Sequence, residues 1–183
     1  MKRTKTATIV VKGNTDHNLP FLVAIGQLVI SWANNESLFL SVLQVLFRDS
    51  KTAAMTWASH KNSRTRLQFV QALVEEKVAD KSLKDRLDQA VIRFVALSRT
   101  RNLYCHAMYQ YDEQLRLKSV FSHITEDSYK TISKSMGLAT LNEIQNASME
   151  LLQFNEAMWT LVHDFESYLG VTLIDTEASE DRP

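Results

Sequence analysis

The chain has 183 residues, 45% of them hydrophobic, with four Gly, two Pro and one Cys, which suits one domain with a real core and is too short for two comfortable ones. So little Gly and Pro argues against a sandwich or barrel and favours helices, and the lone Cys105 excludes an internal disulfide. The formal charge of zero excludes a uniformly basic nucleic-acid binder, but from Arg48 through Arg101 there are twelve Lys/Arg against six Asp/Glu, so a local basic surface is available.

In chain order, Met1-Lys2-Arg3-Thr4-Lys5 runs into polar residues rather than an apolar signal core, so a cytoplasmic location is expected. Residues 1–18 read as an arm with a short strand at 7–11, and residues 19–170 as one helical domain. The first long helix is expected from Leu19 to Phe47, with Pro20 in its first turn and Val29, Ala33, Glu36, Leu40, Leu43 and Phe47 on the buried stripe. Leu19 to Ala33 is too short and too interrupted for a membrane span. Glu36 is the one charge on that stripe, and a buried carboxylate needs a cation, for which Arg101 or Arg99 is preferred; the alternative places Glu36 at the wet edge.

A shorter helix follows from about Thr52 to His60. The next is capped by Asn62 or Ser63 and runs to about Ala79 with Leu67, Val70, Val74 and Val78 inward. Asp80 is a candidate cap for a helix carrying Leu83, Leu87, Ala90 or Val91, Phe94, and Leu97 or Ser98. Beyond Met108 the period changes to two, predicting a hairpin from Tyr109-Gln110-Tyr111 and Leu115 to Val120 that the N-terminal strand could join. A weak helix is expected near Glu126 to Met136. Thr140-Leu141-Asn142-Glu143 reads as a capping box for a final helix whose seam runs from Leu141 to Leu169, ended by Gly170. Residues 171–183 form a loose acidic tail. The whole reads as all-α, four main helices with a small β-hairpin inserted after the helix that ends near Cys105.

The end of that helix carries the chemistry. Asn102 and His106 (i, i+4) share one stripe, Arg99 joins them from one turn earlier and Arg101 flanks it. A permanent cation, an amide and the one side chain that titrates near neutral pH within two turns suit an anionic ligand whose reaction moves a proton, and a phosphodiester is the obvious candidate. The bland reading is a satisfied Asn102–His106 pair closing a helix. His17, His60, His106, His123 and His163 lack metal-ligand spacing, so neither a metal nor a cofactor is expected. Aromatics such as Trp32, Trp57, Trp159 and Phe94 are read as core more readily than as base-stacking platforms.

Arg101-Asn102-x-x-x-His106 resembles the R-N-x-x-x-H form of the Arg-x4-6-His signature of the HEPN superfamily, all-helical proteins many of which are metal-independent ribonucleases. The resemblance covers roughly residues 19 to 169 and implies an up-down four-helix bundle with the motif late in a central helix. Many members have Gly directly after the His, where this chain has Ala107. It implies a cytoplasmic toxin or phage-defence endoribonuclease acting on RNA at a composite homodimer site, by attack of the 2′-hydroxyl to leave a 2′,3′-cyclic phosphate. One His cannot stand on both sides of an in-line displacement, which is why two copies are needed. On that reading His106 is general acid/base, Arg101 steadies the phosphate, Asn102 orients the His or binds the ribose phosphate, Arg99 adds an anion contact and Glu36 anchors Arg101. An antitoxin or other regulatory partner is implied as well. In members silenced by a nucleotidyltransferase the modified Tyr lies two residues after the His; here that position is Met108 and Tyr109 comes one later. The alternatives are a non-catalytic nucleotide- or partner-binding module, and a helical dimer scaffold.

Overall fold

The computed structural model describes residues 15–122 and 132–173. Helix α1, Thr15–Phe47, begins four residues before the expected Leu19, so Pro20 lies inside it. The missing proline N–H forfeits one intrahelical bond, and tertiary contacts hold the early turns in place. The Asn18 amide donates to the Leu115 carbonyl at 2.9 Å and accepts from the Leu117 N–H at 2.8 Å, while His17 Nε2 lies 3.4 Å from the Leu117 carbonyl oxygen. The buried face of α1 departs from the expected stripe in the first half of the helix, while Leu43 is buried and Leu40 and Phe47 pack partly against the core as expected. Phe21, Leu28, Trp32, Asn35, Phe39 and Val42 are buried, whereas Val29 is 37% exposed and Ala33 faces solvent. Both stripes satisfy 3/4 spacing. Asn35 can go inside because its amide donates to the carbonyls of Ser31 (2.9 Å) and Leu151 (2.8 Å) and accepts from Asn155 (3.2 Å).

Arg48, at φ 55, turns the chain into α2, Ser50–Ser59, whose N-cap is Asp49. Helix α3, Ser63–Lys77, is capped by Asn62, whose side chain accepts from the Thr65 N–H, and buries Leu67, Val70 and Val74; Val78 closes it and is buried as well. Asp80 caps α4, Lys81–Cys105, through the amides of Ser82 and Leu83. Leu83, Leu87, Val91, Phe94 and Leu97 are buried, as their spacing predicts. Phe94 meets Phe39 and Phe154 at centroid distances of 5.3 and 5.7 Å, joining α4 to α1 and to α5, Leu138–Leu169.

After the motif come β1, Met108–Tyr111, and β2, Leu117–Ser122, the expected hairpin. A third strand, β3, Ile132–Ser135, pairs antiparallel with β2 and gives the order β1-β2-β3. It replaces the C-terminal part of the helix expected near Glu126 to Met136; residues 126–131 and the N-terminal strand at 7–11 lie outside the described residues. Ser133 and Ser135 alternate with better-buried Ile132 and Lys134, a strand period that the weak helical pattern masked. The capping box at Thr140 is also corrected. Helix α5 starts at Leu138, Thr140 Oγ1 donates back to the Ser135 carbonyl at 2.7 Å, and Glu143 is bound by Lys134, so both side chains tie α5 to the sheet. The α5 seam is as expected, with Ile144, Ser148, Leu151, Met158, Val162 and Phe165 buried, and Gly170 closes it at φ 62. The fold is thus mostly helical, with a small three-stranded antiparallel sheet. Among the described residues no helix is long and apolar enough to cross a membrane.

Candidate functional site

The motif closes α4. Arg101 and Asn102 lie in its last full turn, and His106 is the C-cap residue at φ −113, ψ 9, its backbone N–H donating to the Asn102 carbonyl at 3.1 Å. The helix stops there because Met108 begins β1 and the chain is committed to the sheet. Tyr104 anchors the turn from below: it is 1% exposed, and its carbonyl accepts from the Tyr109 hydroxyl of β1. Burial pushes the Tyr109 phenol up to about 12 and raises that of Tyr104 further, with the Glu143 charge adding to the effect. Cys105 is partly buried and its thiol is raised by burial, the opposite of what a thiolate nucleophile needs.

The expected site residues divide. Arg101 and Asn102 come together: Nη1 of Arg101 donates to Asn102 Oδ1 at 2.7 Å, which fixes the amide so that its NH2 is the group left to donate. The guanidinium lies over the Trp32 ring, 4.1 Å from the centroid, and Trp32 in turn stacks on Phe94 at 5.2 Å. Arg101 Nε is buried with no acceptor among the described residues, and so is the indole N–H of Trp32. Both residues line a cleft of about 560 Å³ between α1, the start of α3 and the end of α4, together with Asn62, Ser63, Arg64 and Asn102.

His106 stands outside this cleft, exposed at the tip of α4 one turn beyond Asn102. Arg99 is exposed and forms no ion pair among the described residues, and it too lies outside the cleft. The expectation for Glu36 is overturned. Its Oε1 accepts from Ser63 Oγ at 2.6 Å and from Arg66 Nη1 at 3.3 Å, not from Arg101 or Arg99. The reason is topological: the first turn of α3 crosses α1 at Glu36, and Arg66, itself held by the His60 carbonyl and the Trp57 ring, reaches the carboxylate first. Glu36 therefore fastens α3 to α1 and leaves Arg101 without a carboxylate partner among the described residues.

Sequence reasoning passed over Trp32 as core and treated Asn62 and Ser63 only as caps. A sign that they border a cleft with a cation was present, since Arg64 lies two residues after the N-cap Asn62, at a helix start whose first amides lack intrahelical acceptors. Among the described residues no three His, Cys, Asp or Glu side chains converge as metal ligands. No protein-family model, no curated protein and no solved structure matches this chain.

Proposed function

We propose that the protein is a metal-independent endoribonuclease of HEPN type, an effector of the toxin or phage-defence kind, in which α1, α3, α4 and α5 make the four-helix up-down bundle and two copies build one RNA-cleaving site. The observation that carries this reading is the ordered Arg101–Asn102 pair set one turn before an exposed His106 at the very end of α4. Such a tip can approach its own symmetry mate without disturbing the core. Two His106 side chains then flank one phosphate, one taking the 2′-hydroxyl proton and the other delivering a proton to the leaving 5′-oxygen. Arg101, with its donors oriented by Trp32 and Asn102, stabilises the charge on the phosphoryl oxygens. Arg99, exposed nearby, contributes to holding the chain.

The test is cleavage of a labelled structured RNA in EDTA by wild type and His106→Ala, with the product ends resolved. Cyclic-phosphate ends that need His106 support the proposal. Mixing wild-type with His106→Ala subunits probes the composite site: a mixed dimer carries a single His106, which cannot serve both proton transfers, so activity is expected to fall more steeply than the fraction of wild-type subunits. A second reading is favoured by one feature, the separation of His106 from the cleft: a module that binds RNA or nucleotide without cutting it, which these assays would reveal as RNA retention with no cleavage.

A further inference from the structure

The outer face of α1 is apolar, and none of the described residues covers it. From His17 through Asn35 the helix carries no Asp, Glu, Lys or Arg, although the solvent side of a globular helix is where charges ordinarily go. Leu19, Leu22, Val23, Val29 and Ile30 are exposed instead, Ile30 at 63% and Leu22 at 56%, with Ala33 exposed at the far end and Gly26 between them. At about 100° per residue these positions form one stripe on the side of α1 away from the buried Leu28 and Asn35. Helix α4 packs elsewhere, since Trp32 and Phe39, which meet Phe94, lie about 120–140° around α1 from Gly26. Packing within the chain does not account for Gly26. A Cβ there would meet nothing within 4 Å, and glycine in the middle of a helix weakens it relative to alanine. A contiguous apolar patch of this kind marks a contact surface on a folded protein.

We infer that this stripe joins two copies of the chain as an antiparallel α1–α1 pair with Gly26 on the two-fold axis. The order of residues along the stripe selects the occupant. A two-fold through Gly26 sets Leu19 against Ala33, Leu22 against Ile30 and Val23 against Val29, so every apolar residue of the stripe meets an apolar one. A large residue faces a small one at each end, and Gly26 facing itself lets the two backbones come close at the centre. A self-pairing face brings its own charges together, and this one has none to oppose. At the exposures of these side chains each copy offers roughly 500 Å² of apolar surface, and two copies remove roughly 1,000 Å² from water, the size at which a specific interface begins. A lipid surface or an unrelated helix would call for apolarity alone, not for symmetry about one residue. The contact is separate from the α4 tips. His106 ends a helix that packs against another side of α1, so this pairing neither builds nor requires a composite RNA site.

The experiment is sedimentation equilibrium of the full chain at about 100 μM, comparing wild type with Gly26→Leu and Ile30→Asp. Position 26 opens onto empty space and Ile30 is largely exposed, so both variants should fold, which helical circular dichroism checks. The expected wild-type mass is twice the 20.9 kDa of the chain, or an even multiple of it, and it halves in both variants. The register is read separately on a Cys105→Ser background. Under mild oxidation a mixture of Leu22→Cys and Ile30→Cys chains should link into dimers faster than either chain alone, because only the mixture places the two thiols opposite each other. A wild type that sediments at 20.9 kDa, an assembly whose mass ignores both variants, or a mixture that links no faster than its components overturns the inference. A monomeric wild type that binds phosphatidylcholine vesicles, with binding lost in Ile30→Asp, would overturn it in favour of a lipid surface. A mass that halves as expected in a protein that cuts no RNA refutes the cleavage proposal alone, and RNA cleavage by a wild type whose mass ignores the α1 variants refutes this pairing alone.

Discussion

Replacing Arg101 with Met separates a structural arginine from a functional one. In favour of the native residue stand its stacking on Trp32, about 1–2 kcal/mol for a partly desolvated cation–π contact, and its bond to Asn102, about 1 kcal/mol net. Against it stands the buried Nε–H, which has no acceptor among the described residues and costs about 1–3 kcal/mol. Met keeps the aliphatic length and regains about 0.3–1.5 kcal/mol of sulfur–aromatic contact with the indole. The two sides cancel to within about 1 kcal/mol, which for a chain of this size moves the melting temperature by only about 2–4 °C in either direction. Urea unfolding of wild type and Arg101→Met, paired with the RNA-cleavage assay, reads both consequences. Near-equal midpoints with cleavage lost are the expected result. A destabilisation well beyond 2 kcal/mol would show that Arg101 holds the α1–α4 contact together and that its unpaired donor carries no functional meaning.

The remaining outcomes are more direct. His106→Ala keeps the backbone cap to the Asn102 carbonyl and removes only an exposed ring, so its melting temperature should stay within about 2 °C of wild type while RNA cleavage disappears; a cooperative loss of structure would instead assign His106 to the fold. Asn35→Ala removes the amide that joins α1 to α5 and strands Asn155, and is expected to cost about 2–3 kcal/mol by urea titration. A cost near zero would mean the network is incidental. Stability should also fall as pH rises from about 10 toward about 12: unfolded tyrosines lose their protons near 10, whereas Tyr109 holds its own until about 12 and Tyr104 beyond, so the folded state keeps protons that the unfolded state has released. Tyr109→Phe should flatten that alkaline decline, and an unchanged slope would contradict the assignment.

Much was legible in one dimension because it is local. The caps at Asn62 and Asp80, the left-handed stop at Gly170, the apolar spacing of α3, α4 and α5 and the hairpin after Met108 all follow from residue types within a turn or two of each other. The placement of Arg101, Asn102 and His106 on the last turns of α4 belongs to that class, whereas the side-chain bond between Arg101 and Asn102 does not. What only the tertiary structure decided involves competition between distant groups. Whether Val29 or Leu28 turns inward depends on which face α5 offers an acceptor for Asn35, and α1 is apolar enough on both sides for periodicity to leave that open. Glu36 had several cations to choose from, and the crossing of α3 over α1 gave it Arg66, 30 residues away, rather than the motif arginine. Residues 132–135 became a strand because β2 had an edge to complete, not because of their own preference. The same competition made the cleft. Relieved of Glu36, Arg101 lies on Trp32, its Nε without an acceptor among the described residues, across the cleft from the start of α3, and no spacing within a single helix could have brought those groups together.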